Sequence, residues 1–245
     1  MSAADPKLHA EQVRSMFARI ASRYDMLNRL MTFGRDHAWR REAIARLQLK
    51  GGGYVLDVGS GTGDLAFTCQ QMHPETQVVA CDFTPEMMAL GKARDRAGVI
   101  IWALADATRL PFADQSFHGV VSGFLLRNVT GLDQALAEQV RVLKPGGRIV
   151  ALDTTPPSPG PLAPLVHFHL RRVIPALGRL IAGNAAAYRY LPASTEAFAD
   201  AETLAARLRT AGLEGVGFTR RMLGTIAIHW GLRPDARGGR DGPTG

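Results

Sequence analysis

The chain has 245 residues, of which 46% are hydrophobic, and it carries a formal net charge of +7 at pH 7. This length suits one α/β domain with a small additional layer, and the apolar fraction is enough for an ordinary globular core. Two cysteines are too few for a disulfide framework or a cysteine metal cluster, and the absence of any run of 18 uncharged apolar residues argues against a transmembrane helix.

The positive charge permits contact with nucleic acid or with an anionic membrane surface and does not choose between them. The first residues lack the basic-then-apolar form of a signal peptide. Together with the low cysteine content, this predicts a cytoplasmic protein, with association at the inner face of the membrane as a further option.

Residues 1–50 are predicted to form a helical lead that also serves as a lid. Apolar side chains recur at helical spacing from Val13 to Tyr24, and the glycine at 33–34 indicates a break. A second helix follows, and three glycines at 51–53 end it and open the first strand.

A short apolar strand followed by a glycine turn organises the chain. The turn has the spacing G-x-G-x-G, made by Gly59, Gly61 and Gly63, and a helix follows it. Glycine lets a backbone turn sharply and approach a ligand closely, so a ligand is expected at the carboxyl end of this strand. Asp57 and Asp64 flank the turn. They would repel a pyrophosphate at the helix N-terminus, and they favour a ligand with an ammonium or sulfonium group.

Strands and helices alternate regularly after this turn, which predicts a parallel, doubly wound sheet. The next strand ends at Asp82, whose carboxylate is placed to accept both hydroxyls of a ribose. Thr84 and Pro85 are typical of a helix start, and a further strand leads to Asp106. The predicted strands are 77–81, 100–104, 119–122 and 148–153, and the predicted helices run from 84 to about 97 and from 132 to 143.

The pattern changes at residue 154. A proline-rich loop precedes an apolar segment that arginines and prolines interrupt, and we interpret residues 154–200 as a loop and a helical cap over a substrate pocket. A helix at 203–211 and closing strands at 215–219 and 226–231 complete a seven-stranded, mostly parallel sheet. The expected units are 1–50, 51–153, 154–200, 201–232 and a disordered tail, 233–245.

Several motifs along the chain resemble a single family. The glycine turn resembles the first motif of class I S-adenosylmethionine (SAM) methyltransferases. Four segments of the chain are similar to signatures of the quinone-biosynthesis C-methyltransferases. They are residues 16–17 together with 22–28, the run Leu126-Arg127-Asn128-Val129, residues 141–147, and residues 187–191 together with Ser194. That family comprises demethylmenaquinone methyltransferase and the related polyprenyl-benzoquinol methylase. The resemblance runs from about residue 16 to residue 231 and implies the class I SAM methyltransferase fold.

The resemblance implies SAM as the cofactor and carries its site over residue by residue. Asp82 would hold the ribose, and Asp106 would accept a hydrogen bond from the exocyclic amine of the adenine. The other implied cofactor residues are Asp57, Gly59, Gly61, Thr62, Gly63, Phe83, Ala107 and Gly123. The histidines at 167 and 169 do not share a helix face, and no metal site is predicted.

The acceptor implied by the resemblance is a prenylated hydroquinone that is methylated at a ring carbon. Methyl transfer from a sulfonium mainly needs two reactants held in line and water excluded. The ring carbon becomes nucleophilic when a neighbouring hydroxyl loses its proton. Arg127 is the first candidate for stabilising the phenolate or for orienting a water that takes the proton. Asn128 would position the ring oxygen, and Tyr24 would hydrogen-bond a quinol oxygen.

Three departures from the family pattern lie at the expected site, and the one at Gly123 removes a polar contact near the cofactor. Gly123 stands where a serine is usual, and Asp153 stands where a glutamate is usual. Alanines occupy 185–187, after Asn184, where the family has polar side chains. These departures leave another small phenolic or lipid acceptor open, and the family's two activities leave a naphthalene and a benzene ring open.

Two further classes of protein compete with this interpretation. A nucleic-acid methyltransferase is not favoured, because the arginines are scattered and no Asn/Asp-Pro-Pro-Tyr/Phe segment is present to hold a flipped base. The non-enzyme alternative is a SAM-binding subunit of a quinone-synthesis complex, against which Arg127 and Asn128 argue. A prenylated acceptor also suggests peripheral membrane contact through residues 165–180. A homo-oligomer is left open.

Overall fold

The computed structural model describes residues 6–157, 168, 172 and 194–235, with the side chains at 6–10, 22–24 and 27 left out. Its helices are α1 (Pro6–Met31), α2 (Asp36–Arg46), α3 (Asp64–Met72), α4 (Pro85–Arg94), α5 (Leu132–Val142) and α6 (Ala201–Thr210). Its strands are β1 (Tyr54–Val58), β2 (Gln77–Asp82), β3 (Ile100–Leu104), β4 (Phe117–Gly123), β5 (Leu143–Thr154), β6 (Glu214–Arg221) and β7 (Ile226–Leu232). Short 3₁₀ turns lie at Leu126–Asn128 and Met222–Gly224.

The seven strands form one sheet in the order β3-β2-β1-β4-β5-β7-β6. Strands β1 to β5 pair in parallel, whereas β7 runs antiparallel to both β5 and β6. The chain order reverses between β1 and β4, and open α/β sheets bind their ligands at such a switch point. The predicted doubly wound, mostly parallel sheet of seven strands is confirmed.

Helices cover both faces of the sheet, which explains the continuous apolar runs of its central strands. Leu56 and Val58 of β1 belong to the cluster that packs against α5 and α6. Val55 of the same strand belongs to the cluster on the other face, with Trp39 of α2 and Leu65 of α3. Side chains that alternate along one strand therefore feed two separate cores.

Several predicted element boundaries differ from the structure; α4, for example, ends at Arg94 and not near residue 97. Strand β5 begins at Leu143 and not at residue 148, because the segment after α5 joins the sheet at once, with a register shift against β4. Thr84 precedes α4, but its side chain makes no capping hydrogen bond. Its backbone N–H instead donates to the Asp82 carboxylate at 2.7 Å.

Much of the predicted cap at 154–200 and most of the predicted tail at 233–245 lie outside the described residues. The division of the chain into five units therefore stays a prediction. Among the described helices, none combines the length and the apolar character needed to cross a membrane.

Candidate active site

A cavity of about 510 Å³ opens at the carboxyl ends of β1, β2 and β4, at the switch point of the sheet. Each of these strands ends in a turn that supplies part of the wall. The end of β1 and the turn after it supply Asp57, Gly59, Ser60, Gly61 and Thr62, and the end of β2 and the turn after it supply Asp82, Phe83 and Thr84. The loop after β3 supplies Asp106 and Ala107, and the end of β4 and the turn after it supply Gly123, Phe124 and Asn128.

The glycine turn brings backbone against the cavity because its residues have positive φ. Gly59 has φ 69° and Gly61 has φ 56°, a region that costs other residues energy. A Cβ on Gly59 would lie 2.6 Å from Leu125 Cδ1, so no side chain fits there. Gly63 does not line the cavity. A Cβ on Gly63 would lie 2.5 Å from a carbon of the Trp102 ring, so the absence of a side chain makes room for that ring. The structure thus gives Gly63 a packing role.

Asp82 joins the end of β2 to the glycine turn. One carboxylate oxygen accepts a hydrogen bond from the Gly61 N–H at 2.8 Å, and the other accepts from the Thr84 N–H. Burial raises the pKa of this carboxyl, and the backbone N–H groups oppose the rise. The carboxylate is therefore fixed in orientation at the cavity wall, where its remaining lone pairs can accept ribose hydroxyls.

Asp57 is fully buried at the end of β1, beneath the turn. Its Oδ2 accepts from the Ala66 N–H at 3.0 Å, whereas its Oδ1 has no hydrogen-bond partner in the part of the chain that the structure describes. Burial raises the pKa of this carboxyl to about 8, and Asp82 and Asp64 add to the rise. An unpaired buried oxygen is costly, so this atom fits a ligand that brings a donor or a positive charge.

Asp64 lines the cavity and also forms ion pairs with two arginines, which the sequence did not predict. Its carboxylate pairs with Arg94 at 2.7 Å and with Arg40 at 3.0 Å. Arg94 also pairs with Asp25, and Arg40 also pairs with Asp36, so the two cations are shared among three carboxylates. Of the two acids that flank the turn, only Asp57 has a carboxylate oxygen without a hydrogen-bond partner among the described residues.

The adenine-side residues of the sequence analysis also reach the wall. Oδ1 of Asp106 accepts from both the N–H and the hydroxyl of Thr108 at 2.8 Å, which orients the carboxylate. Ala107 follows it, and Phe83 lies on the wall with 42% of its surface exposed. Gly123 lies opposite Leu65, and a Cβ there would be 2.7 Å from Leu65 Cδ1. The glycine that replaces the usual serine therefore makes room for Leu65.

The three predicted catalytic residues are placed differently. Asn128 lines the cavity and donates from its amide to the Phe124 carbonyl at 2.8 Å. Arg127 is buried and pairs with Asp153 Oδ1 at 2.5 Å, with its guanidinium 5.1 Å from the Phe124 ring centroid. It is not on the wall formed by the described residues. Tyr24 lies in α1, and its side chain is outside the described set.

Sequence reasoning placed Tyr24 of α1 at the acceptor but did not identify the residues of this helix that line the cavity. Val13, Arg14 and Phe17 from this helix line the wall, and the Arg14 guanidinium lies 5.9 Å from the Phe83 ring centroid. The spacing of Val13 and Phe17 at i and i+4 did indicate a shared helix face. The sequence alone did not say against which surface that face packs.

The residues present fit SAM. The unpaired oxygen of Asp57 suits its cationic amino acid end, Asp82 suits its ribose, and the glycine turn leaves room for close backbone approach. The fold and this site together define a class I SAM-dependent methyltransferase.

Comparison with known proteins gives the family. Residues 6–233 match the ubiE/COQ5 methyltransferase family, and the chain belongs to that family. It is 48% identical to the ubiquinone/menaquinone biosynthesis C-methyltransferase UbiE of Desulfotalea psychrophila, over 90% of each chain. It is 44% identical to the demethylmenaquinone methyltransferase of Thermus thermophilus, over 89% of this chain and 100% of the relative. The predicted family and SAM as the cofactor are thus confirmed.

The fold comparison agrees with this assignment. The crystal structure of the [4+2]-cyclase SpnF superposes with a TM-score of 0.69 at 19% identity, over 93% of this chain and 97% of that one. Because this neighbour is named a cyclase, the shared fold does not fix the reaction. The reaction is assigned from the sequence family instead.

Proposed function

We propose that this protein transfers the methyl group of SAM to a ring carbon of a prenylated hydroquinone in menaquinone or ubiquinone biosynthesis. The observation that carries the proposal is the acid-lined, glycine-lined cavity at the switch point of a chain that matches this family from residue 6 to residue 233. The relatives' names supply the acceptor class, since one is named for demethylmenaquinone and another for both quinones.

When bound, SAM supplies an electrophilic methyl group on a sulfonium. The protein's share of the work is to hold the two reactants in line and to keep water out. We assign cofactor binding to Asp57 and Asp82 with the glycine turn. The acceptor hydroxyl must lose its proton so that electron density reaches the ring carbon, which gains the methyl group and then releases its own proton. Asn128, on the wall, is the residue that we assign to the ring oxygen.

Arg127 is given a positioning role in this proposal. Its guanidinium pairs with Asp153, and its backbone N–H lies 3.3 Å from the same carboxylate. These bonds tie the 3₁₀ turn that carries Asn128 to the end of β5. Tyr24 stays a candidate for a second hydrogen bond to the acceptor.

The direct test combines the purified protein with SAM and extracted demethylated quinols, followed by mass spectrometry of the products. A mass increase of one methyl group on a naphthoquinol identifies the menaquinone step, and the same increase on a methoxybenzoquinol identifies the ubiquinone step. An unchanged quinone profile, together with unchanged quinones in cells that lack the protein, contradicts the proposal.

The acceptor's prenyl tail places it in a lipid bilayer, so we also propose that the protein docks on an anionic membrane surface. Met26 and Leu30 of α1 and Phe33 after it are 51%, 39% and 74% exposed. Exposed Arg29 and Arg35 lie among them, and residues 26–35 contain no acidic side chain. Apolar side chains with interspersed cations are the pattern of a surface that inserts shallowly among anionic lipid headgroups.

Flotation with phosphatidylglycerol vesicles at low salt tests this surface. We expect the wild type to float, and a variant with serine at Met26, Leu30 and Phe33 to lose most of its binding. A matched control carries serine at three exposed apolar residues of edge strand β3 and its approach, Val99, Ile101 and Leu104, and is expected to float like the wild type. Equal flotation of both variants, or no flotation of the wild type, rules out the proposed surface.

A further inference from the structure

We infer that Asp25 and Arg94 are positioning residues that fasten α1 to the glycine turn and so complete the SAM cavity. The inference deepens the proposed function, because it concerns the affinity of the same site for its cofactor. It starts from the fact that α1 supplies Val13, Arg14 and Phe17 to the cavity wall. Whatever holds α1 in place therefore also holds that part of the wall.

The first contact joins α1 directly to the turn. The Thr62 hydroxyl donates to Asp25 Oδ1 at 2.8 Å, between residues 37 positions apart in the chain. Thr62 lies between Gly61 and Gly63 and is itself buried on the cavity wall. Asp25 lies about two helical turns beyond Phe17. This single hydrogen bond therefore fixes both the turn and the position of the helix relative to it.

Arg94, in the last turn of α4, makes the second set of contacts. It donates to Asp25 Oδ2 at 2.9 Å and to the Thr62 carbonyl at 3.0 Å. It also pairs with Asp64, the first residue of α3, at 2.7 Å. One guanidinium thus holds the helix, the turn and the start of α3 together, which its planar set of donors allows.

The cluster continues into α2 through Arg40. Arg40 bridges Asp64, at 3.0 Å, and Asp36, and the Asp36 carboxylate accepts from the Thr32 hydroxyl at 3.1 Å. Thr32 follows the end of α1. The helix is therefore attached at Asp25 and again just past its C-terminus, while its cavity-lining residues lie toward the other end.

The exposure of the Asp25–Arg94 pair argues for a local role. The two side chains are 26% and 38% exposed, and pairs that water reaches contribute little to global stability. Neither residue belongs to the two apolar clusters that pack the sheet. Loss of the pair is expected to free α1 and the turn while the domain stays folded, and ligand affinity falls when part of a binding wall must be ordered on binding.

The test measures three quantities for the wild type and each variant. They are the SAM affinity by calorimetry, the rate of hydrogen exchange in α1, and the melting temperature. Asp25→Ala and Arg94→Gln are each expected to weaken SAM binding tenfold or more and to speed exchange within residues 11–31. Asp25→Asn keeps an acceptor for the Thr62 hydroxyl and loses the charge, so its loss is expected to be smaller. Thr62→Val removes the hydroxyl and should speed exchange of α1 as Asp25→Ala does, whereas Thr62→Ser keeps a hydroxyl and should show slower exchange of α1 than Thr62→Val.

The matched control removes another exposed ion pair, Arg207 with Asp133 at 2.6 Å, which lies outside the cavity wall. Arg207→Ala is expected to change neither SAM affinity nor exchange of α1. Wild-type affinity in Asp25→Ala overturns the inference, and so does a loss of affinity that only parallels a fall in melting temperature. Absence of SAM binding by the wild type would instead contradict the proposed function, so the two failures are distinguishable.

Discussion

Replacing Arg127 with alanine is expected to abolish turnover and to lower the free energy of unfolding by about 3–5 kcal/mol. The guanidinium and the Asp153 carboxylate are both buried, with side chains 5% and 2% exposed. Removal of the cation leaves a buried carboxylate whose remaining hydrogen bonds from the described residues come from backbone N–H groups, the closest being that of Thr154 at 2.7 Å. The turn that carries Asn128 then loses its side-chain attachment to β5. Chemical denaturation and single-turnover assays measure the two effects.

A double variant separates stability from catalysis. Arg127→Met with Asp153→Asn removes both charges and keeps an acceptor for the Thr154 N–H. Its stability is expected to return close to that of the wild type, because neutral replacement of a buried ion pair is often tolerated. Turnover is expected to stay absent while SAM still binds. Turnover within twofold of the wild type in this variant would remove Arg127 from the mechanism.

Replacing Asp57 with asparagine is expected to weaken SAM binding by more than tenfold at pH 8 and to remove most of its pH dependence. In the ligand-free protein, burial raises the pKa of Asp57 to about 8, so the carboxyl is largely protonated at pH 7. A cationic ligand favours the ionised form. Wild-type affinity should therefore rise as the pH increases from 6 to 8, and binding should release protons. Calorimetry in buffers of different ionisation enthalpy measures that release.

The same substitution has the opposite effect on stability. Between its ordinary pKa of 3.8 and about 8 the folded state holds a proton on Asp57 that the unfolded state has released. The free energy of unfolding contributed by this group therefore falls as the pH rises through that window. Asp57→Asn should remove this fall and leave the ligand-free protein more stable than the wild type at pH 8. Asp133→Asn, at an exposed carboxylate, is the control. In the binding measurements, the amino group of SAM titrates equally with the wild type, Asp57→Asn and Asp133→Asn. The difference in pH dependence of SAM affinity between these proteins therefore comes from Asp57.

Local sequence patterns predicted the parts of the fold that depend on neighbouring residues. The apolar run of β1, the glycines after it and the acid that ends β2 all lie in short segments. The backbone conformation of such a segment follows from its own residue types. Asp57 and Asp82 could be placed at the cavity because carboxyl ends of parallel strands meet at one edge.

The contacts that the sequence did not predict depend on distant partners. Asp64 looked free in the sequence, but Arg40 and Arg94, far from it along the chain, pair with it. Arg127 looked directed toward a ligand, and the acid that turns it away comes 26 residues later. Pairings between residues so far apart follow from how the helices pack, and no local pattern specifies them.

The strand order places the residues that we assign to the cofactor and those that we assign to the acceptor in different halves of the sheet. The acids that we assign to the cofactor end β1, β2 and β3, whereas Asn128 and the Arg127–Asp153 pair come from the ends of β4 and β5. Mutations in the second half can therefore reshape acceptor preference while methyl-donor affinity is inherited unchanged. A lineage of such enzymes can therefore change the type of ring that it methylates without passing through a form that no longer binds SAM.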